Sequence, residues 1–302
     1  MHRLGISTGF AVNRYSEPEE WTAILKNVGV NYAQFTADLL NVSLPDEIII
    51  NQTKRIKEAC KENNIEIRSA FTGAFTRVNH LAHPDLEIRN YWVDWFKRYI
   101  DLAVEIGASS IGSHPGIFTM KDDVDPIRRI ERRSQNIENW HIVGLHAKKR
   151  GLEYISWEPM SVSREQGETI EEAKKLQKDL NKNAPIPFKI CLDVDHGDLA
   201  SNNPDDTNPY KWLENFAKET PQIHLKQSLQ NNKGGHFPFL PEYNDVGKIK
   251  AHEYIAALKK CHVSDVDLIL ELSFKERQPQ DSSVIFALKS SVDYWMNEIN
   301  KG

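Results

Sequence analysis

Apolar residues along the chain follow two alternating rhythms. Short, nearly continuous apolar runs occupy residues 4–9, 32–35, 65–71, 109–113, 152–157, 188–194, 222–225 and 266–272. Their length and lack of helical period predict strands. Between them lie longer segments with apolar residues at i, i+3, i+4 and i+7, as at Trp21, Ile24, Leu25 and Val28. These predict helices over 18–28, 45–63, 87–106, 126–150, 169–184, 209–220, 251–261 and 282–300. Proline opens several of them (Pro18, Pro126, Pro209), and Gly29, Gly107 and Gly151 close others. Eight strand–helix units in succession predict an α/β chain with a parallel sheet, folded as a single (β/α)8 TIM barrel over residues 1–302. The rival, an open doubly wound sheet, lacks support because no G-x-G-x-x-G or G-x-x-x-x-G-K-[ST] follows any strand.

Composition narrows the class. With 38 Lys+Arg against 43 Asp+Glu the chain carries a net charge of −5, which opposes a nucleic-acid groove. No apolar run is long enough to span a bilayer, and the first residues lack a secretory apolar core, so a cytoplasmic location is expected. Cys60, Cys191 and Cys261 are too few and too scattered for a disulfide framework or a CxxC metal site. Length alone allows two domains, but barrels routinely use about this length as one.

Side-chain alternation then assigns direction. In the seventh strand Ile223 and Leu225 share one face, while Gln222, His224 and Lys226 share the other. The same parity sends Glu158, Asp193 and Glu271 inward, near the C-terminal ends of strands five, six and eight. That end is where barrel active sites are built. Each residue alone has an ordinary explanation, as a solvated loop carboxylate, a turn cap or an interior histidine. Three carboxylates and an imidazole at equivalent positions on four successive strands are much harder to obtain by chance. Three carboxylates converging in a low-dielectric interior repel one another, and a divalent cation removes that conflict. An oxygen-rich set with one imidazole suits Mn²⁺ first, with Mg²⁺, Co²⁺ or Zn²⁺ also compatible.

At these residues the chain resembles the xylose isomerase-like barrel superfamily, in its sugar isomerase/epimerase branch. The resemblance is carried by Ser156-Trp157-Glu158-Pro159-Met160, Cys191-Leu192-Asp193-Val194-Asp195-His196, Ile223-His224-Leu225-Lys226 and Leu270-Glu271-Leu272. It implies one divalent metal held by Glu158, Asp193, His224 and Glu271, with His196 touching substrate. The segments from Glu158 to Arg164 and from Lys226 to Phe239 resemble erythrulose-phosphate 3-epimerases, and in places the chain is similar to decarboxylases of branched oxo-sugar acids. The resemblance implies an enediolate mechanism in which Glu158 and Glu271 are catalytic, one removing a proton beside a ketose carbonyl and the other returning it on the opposite face. It also implies a small carbohydrate or sugar phosphate substrate and an enzyme that often forms homo-oligomers.

A phosphorylated substrate requires cationic partners, and Arg164, Lys226 and Arg277 lie just past strands five, seven and eight. His114 and His236 are expected to meet substrate hydroxyls. Three other readings remain: a metal-dependent decarboxylase, a DNA-repair endonuclease of the same superfamily, and a non-catalytic sugar-binding barrel. The endonuclease needs a D-x-H pair beyond strand seven, and residues 231–236 contain none.

Overall fold

The computed structural model describes residues 2–229, 235–274 and 281–301. Eight parallel strands close into a barrel in sequence order: β1 (His2–Ser7), β2 (Tyr32–Thr36), β3 (Glu66–Phe71), β4 (Ser110–Ser113), β5 (Tyr154–Trp157), β6 (Phe188–Asp193), β7 (Gln222–Leu225) and β8 (Val266–Leu270). Pairing of β1 with β8, through Arg3 opposite Asp267 and Gly5 opposite Ile269, completes the closure. The closed (β/α)8 barrel is the architecture that the alternating periodicities predict.

Helices wrap the outside: α1 (Pro18–Val28), α2 (Asp46–Asn63), α3 (Leu86–Glu105), α4 (Met120–Val124), α5 (Pro126–Arg150), α6 (Ile170–Asn181), α7 (Pro209–Phe216), α8 (Pro241–Val246), α9 (Ala251–Lys260) and α10 (Val284–Ile299). Their ends obey local chemistry. The Asp125 carboxylate accepts from the backbone N–H groups of Ile127 and Arg128 at the start of α5, and Gly151 ends that helix at φ 87°. Thr169 caps α6 by accepting from the Glu172 N–H. The outward strand residues Ile223, Leu225, Leu268 and Leu270 are buried together with Trp21, Trp140, Leu213, Leu258 and Trp295 of the helices. None of the described helices is long and apolar enough to cross a membrane.

Two differences from the predicted elements matter. Strand one begins and ends two residues earlier, because Ser7 accepts from the Gly9 N–H and turns residues 8–11 into a short 3₁₀ segment. Helices α4 and α8 lie in long loops on the C-terminal side, where five and six residues are too few to show a helical period.

Candidate metal centre and active site

The four parity-selected residues meet at the C-terminal mouth. One ligand-capable atom from each of Glu158, Asp193, His224 and Glu271 lies within 4.8 Å of the others. Asp193 is the last residue of β6, His224 sits inside β7, and Glu158 and Glu271 follow β5 and β8 directly. Glu158, Asp193 and His224 are buried, and Glu271 is partly exposed.

A chain of directional hydrogen bonds sets the state of His224. The Ser156 hydroxyl donates to the Ile111 carbonyl, so its oxygen receives the Gln222 amide NH2. Gln222 Oε1 then accepts from Ser69 Oγ at 2.9 Å and from Gln34 Nε2 at 2.9 Å. With its NH2 committed, Gln34 turns Oε1 toward His224 Nε2, at 2.9 Å. That nitrogen must therefore carry a hydrogen, which turns Nδ1 toward the cluster, where it donates to Glu158 Oε1 at 3.0 Å and lies 3.7 Å from Glu271 Oε2. Phe71 packs edge-on against the imidazole at 4.9 Å between centroids. Any side chain at Gly112 would collide with the Phe71 ring and the Ser156 hydroxyl, so glycine is required there.

The cluster calls for positive charge. Lys226, 1% exposed, places Nζ 2.5 Å from Asp193 Oδ2 and 3.4 Å from Glu271 Oε2. Burial opposes ionisation of Glu271, but His224, Lys226 and His236 around it hold its carboxyl down at about 2. Burial likewise opposes charge on His224, yet Cys191, Glu271 and Glu158 raise its proton affinity well above the usual imidazole range. Three carboxylates gathered near one ammonium and one imidazole fit a divalent cation.

A cavity of about 740 Å³ opens onto this cluster. Glu158 and Glu271 line it, whereas Asp193 and His224 sit behind its wall. Of the expected substrate contacts, His114, His196 and His236 also line it. His114 Nε2 is 3.7 Å from Glu158 Oε2, and burial, followed by the charges of Arg77 and His196, pushes its proton affinity well down. His196 Nδ1 donates to the Pro159 carbonyl at 2.9 Å, and its Nε2 is 3.8 Å from Asp193 Oδ2. His236 Nδ1 donates to the Glu271 carbonyl at 3.2 Å, and its Nε2 accepts from Lys226 Nζ at 3.1 Å.

Three expectations are placed differently: Lys226, expected at the substrate, is buried between Asp193 and Glu271 and does not line the cavity. Arg164 is not brought to the cavity, because its guanidinium donates to the Phe118 carbonyl at 3.0 Å. Arg277 lies outside the described residues. Asp195, two residues beyond Asp193, points elsewhere and accepts from the Gly235 N–H at 2.9 Å. Gln34, the group that orients His224, was not singled out from the sequence. Its inward parity in β2 was the available signal, but an amide has no charge to attract notice.

The comparisons with known proteins agree with this geometry. Residues 22–288 match the family described as xylose isomerase-like TIM barrel. The chain belongs to that family. A D-erythrulose 1-phosphate 3-epimerase of Brucella abortus (strain 2308) is 40% identical over 301 residues, spanning 99% of this chain and 97% of that protein. A solved barrel from Rhodospirillum rubrum, provisionally assigned as a xylose isomerase, superposes with a TM-score of 0.88 at 23% identity, covering 98% of this chain and 99% of its own. D-Psicose 3-epimerase of Clostridium cellulolyticum H10, solved with D-tagatose, gives a TM-score of 0.70 at 12% identity over 98% of this chain and 99% of its own. These two structures share the barrel of the family.

Proposed function

We propose that this barrel is a divalent-metal-dependent carbohydrate epimerase acting at C3 of a small ketose 1-phosphate. The observation that carries the proposal is the division within the four-residue cluster. Two of its carboxylates, Glu158 and Glu271, face the cavity, while Asp193 and His224 are withdrawn behind it. A site that only held a cation would not need two carboxylates presented to a ligand. The 40% identity to a D-erythrulose 1-phosphate 3-epimerase over nearly the whole chain supports the substrate class.

Glu158, Asp193, His224 and Glu271 would hold the cation, with Mn²⁺ the first choice for this donor set. When bound, it supplies Lewis acidity to the ketose carbonyl and the neighbouring hydroxyl, acidifying the C–H at C3. Glu158 and Glu271 stand three strands apart around the barrel, so a substrate between them meets one carboxylate on each face. One carboxylate takes the C3 proton, and the bonding pair moves toward the carbonyl oxygen. The other carboxylate delivers a proton to the opposite face, inverting C3 with no net redox change. His114, His196 and His236 orient the hydroxyls, and the Lys226 ammonium, locked between Asp193 and Glu271, offers a donor to developing negative charge. A cytoplasmic location and assembly as a homo-oligomer belong to the same reading.

The test is solvent exchange. Mn²⁺-loaded protein in D2O is expected to place deuterium at C3 of a four-carbon ketose 1-phosphate while interconverting its C3 epimers. Release of CO2 from a 3-oxo sugar acid, with no exchange into any ketose, would favour the decarboxylase reading instead.

A further inference from the structure

Part of the cavity wall is built by the loops after β1, β2 and β3, and it carries the charged side chains Arg14, Asp38 and Arg77. Two of these charges are already engaged. Arg14 donates to Asp281 Oδ1 at 2.6 Å and to the Phe274 carbonyl at 2.8 Å. Asp38 accepts from the backbone N–H groups of Phe75 and Thr76, each at 2.8 Å, and from Thr76 Oγ1 at 2.6 Å. Arg77 is different: among the described residues its guanidinium has no carboxylate partner and makes no side-chain hydrogen bond.

The backbone beneath Arg77 is nevertheless firmly held. Its N–H donates to the Gly73 carbonyl at 2.8 Å, and its carbonyl accepts from the Asn79 N–H at 2.8 Å. Asn79 is itself buried and donates from Nδ2 to the His114 carbonyl at 3.1 Å. Gly73 admits no side chain, since a Cβ there would run into Thr36 Oγ1 and Asp38 Oδ2. The loop is thus seated against β2 and β4 while Arg77, without a carboxylate partner among the described residues, lines the cavity with a planar five-donor group. A guanidinium fork of this kind matches a phosphate monoester in geometry and charge. The arginine expected from the sequence to do this, Arg164, is bonded to Phe118 instead.

We propose that Arg77 receives the phosphate group of the ketose phosphate and is the residue that selects phosphorylated over free ketose. The inference rests on the epimerase reading for the identity of the phosphate's carrier, but not for the anion site itself. It is tested by comparing kcat/KM for a ketose 1-phosphate and for the same ketose without phosphate, in metal-loaded wild type, Arg77→Gln and Arg77→Lys. Titration calorimetry with inorganic phosphate runs alongside. Arg77→Gln is expected to reduce the preference for the phosphorylated ketose about 10- to 100-fold and to weaken inorganic phosphate binding about tenfold, with Arg77→Lys recovering part of both. An equal loss on both ketoses, or unchanged phosphate affinity, overturns the proposal. If wild type epimerises no ketose phosphate but Arg77→Gln still weakens phosphate binding, the epimerase reading fails and the anion site stands. If wild type epimerises the ketose phosphate and the variant keeps its preference, the anion site fails alone.

Discussion

At the N-terminal mouth of the barrel, Arg3 and Arg68 grip Asp267 from two sides, at 2.5 and 2.8 Å, and reach out to Asp265 and Glu66. At the C-terminal mouth, Glu158, Asp193 and Glu271 crowd into one cluster with Lys226 as their only buried ammonium among the described residues. Both mouths hold inward-facing carboxylates, on strands of the same sheet. At the first, every carboxylate has a guanidinium, and the arrangement is complete without any ligand. At the second, three carboxylates share one buried ammonium and the His224 imidazole among the described residues. Paired charge stabilises a fold, whereas unpaired buried charge is tolerated where a ligand completes it.

The comparison can be broken in several places. The largest effect is expected at the C-terminal mouth: Glu158→Gln or Glu271→Gln should lower kcat by about 10³-fold, the scale of lost acid–base catalysis. Content of about one divalent metal per chain, measured by atomic emission, should fall with Glu158→Gln and with His224→Ala. Full activity in either glutamine variant would remove both carboxylates from the mechanism. Next comes the cation itself. Saturating Mn²⁺ at about 100 times its Kd should stabilise the folded chain by about 2.7 kcal/mol over the chelator-treated protein. A thermal transition indifferent to chelation would mean that the crowded carboxylates need no ligand.

Asp267→Asn at the N-terminal mouth should cost about 2 kcal/mol in urea unfolding, because Arg3 and Arg68 lose their shared partner. Metal content and the C3 exchange rate should stay at wild-type values, and a change in metal stoichiometry would show that the two mouths are not independent. The smallest effect is expected for Gln34→Leu, which removes the acceptor that orients the His224 imidazole. Metal affinity should weaken about tenfold while the unfolding midpoint of the chelated protein changes little. If affinity is unchanged, the hydrogen-bond chain through Gln222 and Ser156 does not orient the ligand.

Much of this molecule was legible in its sequence. The barrel could be read from eight alternations of period, since a strand and a helix bury their apolar faces at different spacings. The members of the cluster could be read because a strand alternates strictly, so an acid at the inward phase of Glu158, Asp193 or Glu271 has nowhere to point but the interior. Alternation ends where the strand ends. Arg164 lies six residues beyond Glu158, inside a 3₁₀ turn, and no period told that it would fold onto Phe118. Arg77 was overlooked for the same reason, sitting in a loop whose path is dictated by the distant carboxylate of Asp38.

Local sequence by itself determined which residues alternate, where helices start and stop, and hence that four ligand-type side chains would line one end of a barrel. Only the tertiary structure decided which of those four face the cavity, which nitrogen of His224 faces the carboxylates, and which arginines line the cavity. The physical reason is range. Periodicity and capping act over a few bonds along one segment, whereas a cavity wall and the orientation of an imidazole are set by groups brought together across the barrel, as Gln34 is to His224 across 190 positions.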